Sequence, residues 1–162
     1  MRPPLIRAAS SEDLDRLLAL ELDSFDSDRL TRRRFRYFVP APTAALRVVT
    51  DAGRVVGYYL LLFRARASIA RLYSIAVDAA ARGRGVATAL LDDAEATARQ
   101  RGASRLGLEV REDNTAAIRL YEKRGYVLTG RVPDYYEDGA EARRYEKRLD
   151  LSVAGRSPQM DD

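Results

Sequence analysis

The amino-acid sequence predicts an α/β (α+β) fold, a mixed central sheet of about seven strands with helices on both faces. Three observations lead there. One strand and two helical segments precede a change of apolar period at Ala44, from helical spacing to the two-residue spacing of strands. Three strands then follow with no helix between them. Beyond them, strands alternate with helical segments in β-α-β fashion, which places crossover helices on the sheet faces.

"PLIRAA" is a short first strand ending at Ser10 and Ser11. "SSEDLDRLLALEL" offers a hydroxyl cap, acids in the first turn and an apolar face of Leu14, Leu17, Leu18 and Leu22, so a helix follows. "DSDRLTRRRFRYF", residues 26–38, is expected to be a second helix with Leu30, Phe35 and Phe38 inward, stopped by Pro40 and Pro42. "AALRVVT" and "RVVGYYLLLF" flank "DAG" and form a β-hairpin turning at residues 51–53; "ARLYSIAV", residues 70–77, is the third strand. The next helix runs from Val86 to about Gln100, with a stripe of Val86, Leu90, Ala94 and Ala98 and an end at Gly102. "RLGLEV" is a strand, "DNTAAIRLYEKRG" a helix closed by Gly125, and "YVLTGRV" and "ARRYEKRLDL" are the last strands. Residues 1–150 are expected to form a single domain, and residues 151–162 a polar tail.

With 162 residues the chain can bury about two-thirds of its unfolded surface without a staple. It contains 0 Cys and 0 His. Disulfides, thiolate nucleophiles, zinc–thiolate centres, a Ser-His-Asp triad and the commonest metal ligand are thereby excluded, and no metal site is expected. Chemistry must fall to Asp, Glu, Tyr, Lys, Arg, Ser, Thr or the backbone. The net charge of +4 comes from 28 basic and 24 acidic residues mixed along the chain, which suits an anionic ligand and speaks against nucleic acid as a partner. The longest apolar run, residues 55–63, is under half of a membrane span of about 20 residues. "MRPPLIRAASSED" turns polar before a signal peptide's apolar region can develop. A cytoplasmic protein without a membrane partner, monomeric or homodimeric, is the expectation.

"AVDAAARGRGVATALLDDAE" places two glycines, each beside an arginine, where a helix must start. A helix start leaves about four N–H groups unpaired and carries about half a positive charge. Gly83 and Gly85 permit backbone dihedrals closed to other residues and remove side chains that would hold a ligand off the amides. Arg82 and Arg84 add guanidinium charge, matched to phosphate oxygens. The arrangement suits a pyrophosphate cradle; a surface turn with solubilising arginines is the alternative. It is neither a P-loop, lacking the following Lys-Ser/Thr, nor a Rossmann fingerprint, lacking a third glycine.

"SIAVDAAARGRGVATALL" resembles the acetyl-CoA signature of the GNAT superfamily of N-acetyltransferases, whose Arg/Gln-x-x-Gly-x-Gly/Ala pattern is met by Arg82, Gly85 and Ala87. "LEVREDNTAAIRLYEKRGY" looks like the second half of that signature in the ribosomal-protein-alanine N-acetyltransferase branch, and "PDYYEDGAEARRYEKRL" is similar to the end of the same group. The resemblance implies the GNAT fold, a mostly antiparallel sheet splayed near its middle. It implies that the coenzyme A pyrophosphate lies on the amides of Gly83, Arg84, Gly85, Val86, Ala87 and Thr88. The pantetheine arm would pair like an extra strand with the backbone of Ile75, Ala76 and Val77, and Asn114, with Ala117 one turn on, would hold it from the other side.

Acetyl transfer to an amine needs a neutral nucleophile, a polarised thioester and a proton for the departing thiolate. Alternation in "RLGLEV" sets Leu106, Leu108 and Val110 on one face and Gly107 and Glu109 on the other, which the glycine keeps open. A partly desolvated Glu109 would have its pKa raised and could take the ammonium proton directly or through water. The alternative is a surface glutamate paired with Arg111 or another arginine; the branch resemblance places a glutamate base here. Asn114, Ala117, Ile118 and Tyr121 share a helix face. Tyr121, by its family position, would protonate the thiolate; otherwise it is a core tyrosine. Tyr135 and Tyr136 are expected to line an acceptor groove, or to pack on each other as a lid. Phe25 is the other expected groove wall, although "FDSDRL" departs from the branch's Pro-Trp. Arg32, Arg33, Arg34 and Arg36 spread around a helix as a solvated face. The first expectation is an acetyl-CoA-dependent N-acetyltransferase acting on a protein or peptide N-terminal amine. The alternatives are a small-amine acetyltransferase, a non-catalytic coenzyme A sensor and, least supported, an RNA-binding domain.

Overall fold

The computed structural model describes residues 4–149, so the expected tail lies outside the described residues. Its strands are β1 (Leu5–Ala8), β2 (Ala44–Asp51), β3 (Arg54–Phe63), β4 (Ile69–Val77), β5 (Arg105–Arg111), β6 (Val127–Val132) and β7 (Ala142–Arg148); its helices are α1 (Leu14–Ser24), α2 (Arg32–Phe38), α3 (Val86–Gln100) and α4 (Thr115–Lys123). The seven strands form one sheet in the order β1-β2-β3-β4-β5-β7-β6. The β4–β5 pair is parallel and the other pairs are antiparallel. The mixed sheet with helices on both faces is therefore present.

Local chemistry explains most boundaries. Ser10 and Asp13 form a capping box before α1, and Arg7 holds the Asp13 carboxylate through two hydrogen bonds of 2.8 and 3.0 Å. Ala52 and Gly53 both take positive φ, 53° and 81°, which is what a two-residue primed hairpin turn demands. Two expectations need correction. α2 begins at Arg32 instead of residue 26, because Thr31 caps it and the Leu30 N–H is given to the Glu21 carboxylate at 2.7 Å, a bond incompatible with a continuing helix. The inward face of α1 carries Leu14, Leu17, Leu20 and Glu21, while Leu22 is 65% exposed. Packing against both β3 and α2 selects among five leucines whose spacing alone is ambiguous.

Two cores flank the sheet. Leu17, Leu20, Phe35, Phe38, Val48, Tyr58, Leu60 and Ala76 pack beneath α1 and α2. Leu90, Leu91, Ala94, Ala98, Leu106, Leu108, Val110 and Tyr121 pack beneath α3 and α4. Tyr58 and Tyr59, adjacent in β3 and both fully buried, point into opposite cores.

β4 carries the feature that shapes the molecule. Leu60 pairs with Ser74 and Leu61 with Leu72, so Tyr73 is an extra residue in the strand, a β-bulge. It shifts the side-chain parity: Ala70 and Leu72 face the α3/α4 core, and beyond the bulge the odd-numbered Ile75 and Val77 do. β4 pairs with β5 only from Ile69 to Leu72, against Arg105 to Leu108, and past that point the two strands part.

Gly57 sits where β3, β4 and α3 approach closely. A Cβ there would lie 2.9 Å from the Ala76 carbonyl oxygen, 3.1 Å from Val49 Cγ1 and 3.2 Å from Leu90 Cδ1. Gly57→Ala should destabilise the fold by about 1–3 kcal/mol in chemical denaturation. An unchanged denaturation midpoint would show that the packing is looser than described.

Candidate active site

The parting of β4 and β5 opens a cavity of about 700 Å³. Phe25, from the end of α1, forms one wall; Ile75 comes from β4, Glu109 from β5, Asn114, Ala117 and Tyr121 from α4, and Tyr135 and Tyr136 from the β6–β7 loop. Eight of the residues singled out from sequence thus share one space. A second hollow of about 280 Å³ lies over the start of α3, lined by Val77, Arg82, Gly83, Gly85, Val86, Ala87 and Thr88, with Ala116 and Leu120 of α4 opposite. Both hollows border α4.

At the α3 start, Gly83 and Gly85 adopt φ of +81° and +79°, and a Cβ on either would meet nothing within 4 Å. Their absent side chains serve backbone dihedrals and leave open surface. The Ala89 N–H donates to the Gly85 carbonyl at 3.0 Å; among the described residues the N–H groups of residues 83–88 have no acceptor. Bare donors at a positive helix end have the chemistry to accept an anion. Arg82 donates from Nε to the Val77 carbonyl at 3.3 Å, tying the loop to the end of β4. Arg84 pairs with Asp51 at 3.3 Å, with both side chains exposed. Ala76 turns its side chain into the α1/α2 core, leaving only backbone to offer.

Glu109 is held at both oxygens. Arg71 approaches Oε1 at 2.9 Å and Arg144 donates from Nε to Oε2 at 2.9 Å, with the Glu109 side chain 13% exposed. Its surroundings are cationic. The space over Gly107 is not open: a Cβ there would lie 3.0 Å from Ile69 Cδ1. The sequence offered Arg111 or another arginine as partner for Glu109, and the pairing falls to Arg71 and Arg144, while Arg111 pairs with Asp113 at 3.2 Å and Asp138 at 2.8 Å.

Tyr121 is 5% exposed and packs edge-to-face on Tyr126. Burial, with Tyr136 nearby, raises its pKa above the ordinary phenol value, so the hydroxyl keeps its proton. Asn114 spends its side-chain oxygen on the Ala117 N–H at 3.2 Å, capping α4. Tyr135 and Tyr136 pack edge-to-face with centroids 4.9 Å apart and also line the cavity. Burial foremost pushes Tyr136 up to about 12. Arg71 donates to the Tyr135 hydroxyl at 2.6 Å, so one guanidinium links Tyr135 to Glu109. The α1–α2 loop and the β6–β7 loop are joined by reciprocal bonds, Asp28 N–H to Glu137 at 3.0 Å and Glu137 N–H to Asp28 at 3.3 Å. Arg32, Arg33, Arg34 and Arg36 are all exposed, as a solvated face should be.

Sequence reasoning missed Glu21, Ser74 and Arg71, which also line the cavity, and Arg144, which reaches Glu109. Glu21 is hidden among leucines of α1; only its place inside an apolar stripe could have flagged it. Tyr58 donates to Glu21 and lies 2.7 Å from Ser74 Oγ. No signal in the sequence pairs these residues.

The chain matches the Acetyltransferase (GNAT) family over residues 11–126. It is 34% identical over 139 residues to mycothiol acetyltransferase of Jonesia denitrificans, across 80% of this chain and 44% of that protein, so it spans less than half of that relative. The ribosomal-protein-S18-alanine N-acetyltransferase of Escherichia coli superposes with a TM-score of 0.81 at 25% identity, over 91% of this chain and 94% of that one. Ard1 from Thermoplasma volcanium gives 0.83 at 30% identity over 90% and 97%. With the splayed sheet and the glycine-opened helix start, these matches establish that the chain belongs to the GNAT acetyltransferase family.

Proposed function

We propose that this chain, as a single catalytic domain over residues 1–150, transfers an acetyl group from acetyl-CoA to a primary amine, a protein or peptide N-terminus, by direct attack in a ternary complex. One observation carries this reading: α4 borders both the bare-amide helix start and the splayed cavity, so one helix can serve donor and acceptor. The names of the Escherichia coli neighbour and of the family support the choice of an amine acceptor.

When bound, acetyl-CoA supplies the thioester whose acetyl group is transferred. The N–H groups of residues 83–88 would hold its diphosphate. The backbone of residues 75–77, with no strand among the described residues beside it on the β5 side, would pair with the pantetheine arm, and Asn114 and Ala117 would flank it. Tyr121, kept protonated by burial, would hold a proton for the departing sulfur. Glu109 would accept the amine's proton directly or through water, on a lone pair that Arg71 and Arg144 leave unused. Phe25, Tyr135 and Tyr136 would line the acceptor's path. A second reading, acetylation of a small amine, draws support from the mycothiol acetyltransferase relative and from the Asp28–Glu137 tie between the loops that flank the cavity.

Glu109→Gln should lower kcat/KM by about 10²-fold with acetyl-CoA affinity intact; unchanged turnover removes Glu109 from the chemistry. Tyr121→Phe should lower kcat by a similar factor of about 10²-fold, whereas a wild-type rate leaves it a packing residue. Labelled acetyl-CoA presented with N-terminal peptides and small amines should mark peptide N-termini first. Label only on small amines favours the second reading, and no label on any amine removes both.

A further inference from the structure

Glu21 is 2% exposed, lies in the first helix far from the family signature, and still lines the cavity. One carboxylate oxygen accepts from the Leu30 N–H at 2.7 Å and the other from the Tyr58 hydroxyl. The Tyr58 oxygen in turn lies 2.7 Å from Ser74 Oγ. Ser74 stands one residue past the β4 bulge, where the strand has left β5, and it lines the same cavity. With the Tyr58 proton directed at Glu21, the Ser74 hydroxyl is the donor of its pair. A continuous, uniformly oriented chain of hydroxyls therefore runs from the acceptor space to a buried carboxylate. Of the two Glu21 bonds, the one from Leu30 ties down the α1–α2 loop and the one from Tyr58 leads toward the cavity.

We propose that Glu21 is a second proton acceptor for the incoming ammonium, reached from the cavity through Ser74 and Tyr58. This rests on the amine-acetylation reading above. The ammonium N–H breaks as its proton passes to Ser74 Oγ, Ser74 passes its own hydroxyl proton to Tyr58 Oη, and Tyr58 passes its proton to Glu21 Oε1. One N–H bond is exchanged for one carboxyl O–H, both hydroxyls end as they began, and nitrogen keeps the electron pair that attacks the acetyl carbon. Arg71 and Arg144 hold the Glu109 carboxylate in an ion pair, and the Glu21 route disturbs no ion pair.

The groups around Glu21 suit the task. Burial raises its pKa above the ordinary glutamate value, opposed by the Tyr58 and Leu30 hydrogen bonds and by Arg29 from the α1–α2 loop. Burial and Glu21 hold the Tyr58 phenol far above its usual value, with Tyr73 of β4 adding to the shift, so Tyr58 remains a donor as the middle of a relay must. Ser74 and Tyr58 act through their neighbours and position the proton path.

The test is the pH dependence of kcat/KM for Glu21→Gln, Ser74→Ala and Ser74→Thr, with thermal melts as the folding control. Glu21→Gln and Ser74→Ala should each lose about 10²-fold near neutral pH, and the deficit should shrink as pH rises past about 8, where an N-terminal amine deprotonates unaided. Ser74→Thr, which keeps the hydroxyl, should restore the rate. A deficit equal at every pH, no deficit in Ser74→Ala, or no rescue by threonine overturns the relay. Carbon-13 NMR of the side-chain carboxyls in the substrate-free protein should show Glu21 titrating above the ordinary value of about 4.3; titration at that value also overturns it. A wild-type protein that acetylates no amine overturns the amine-acetylation reading itself, a result distinct from either.

Discussion

One extra residue in one strand sets the geometry of this protein. With Tyr73 bulged out of register against β3, β4 twists away from β5 after Leu72. A continuous parallel pairing would have closed the sheet and satisfied both edges; past the bulge the β5-facing backbone of residues 73–77 has no strand partner among the described residues. An edge of this kind inside a sheet is tolerated only where something else fills the gap. The same departure turns Ser74 toward Tyr58 and opens the cavity into which β5 presents Glu109 and α4 presents Tyr121.

Charge is distributed around that opening with little left unpaired. Arg71 bridges Glu109 and Tyr135, Arg144 holds the second Glu109 oxygen, and Arg111 lies over Tyr136 while bound to Asp113 and Asp138. These interactions fix the β6–β7 loop and its tyrosines against the strand ends. Glu21 differs: it is buried, meets hydroxyl and amide donors, and among the described residues has no guanidinium on either oxygen. Two of the carboxylates that line the site therefore stand in opposite settings, one paired with cations and one desolvated, and such contrasts are how a site divides acid–base work.

Much of the fold is legible in the sequence where local chemistry is decisive. Val86, Leu90, Ala94 and Ala98 mark α3 to the residue because Gly85 and Gly102 bracket an unbroken stripe. The alternation in "RLGLEV" assigns both faces of β5 because Leu106, Leu108 and Val110 have one core to enter. The start of α2 is not legible, since Asp26, Ser27 and Asp28 suit a helix and a loop equally and a tertiary bond from Leu30 to Glu21 decides. Nor is the bulge, because no residue type announces it and Tyr73 is a good strand former. The partners of Glu109, Arg71 and Arg144, come from neighbouring strands, so the sequence could say no more than Arg111 or another arginine.

The central claim is that the parted strands and the bare helix start form one ligand-binding surface. Amide NMR during titration with coenzyme A tests it most directly. The account predicts that the N–H signals of residues 83–88 and 73–77 move together with one binding constant while those of β1 and β6 stay in place. A folded protein whose signals at residues 83–88 do not respond, or respond without those of residues 73–77, would contradict it.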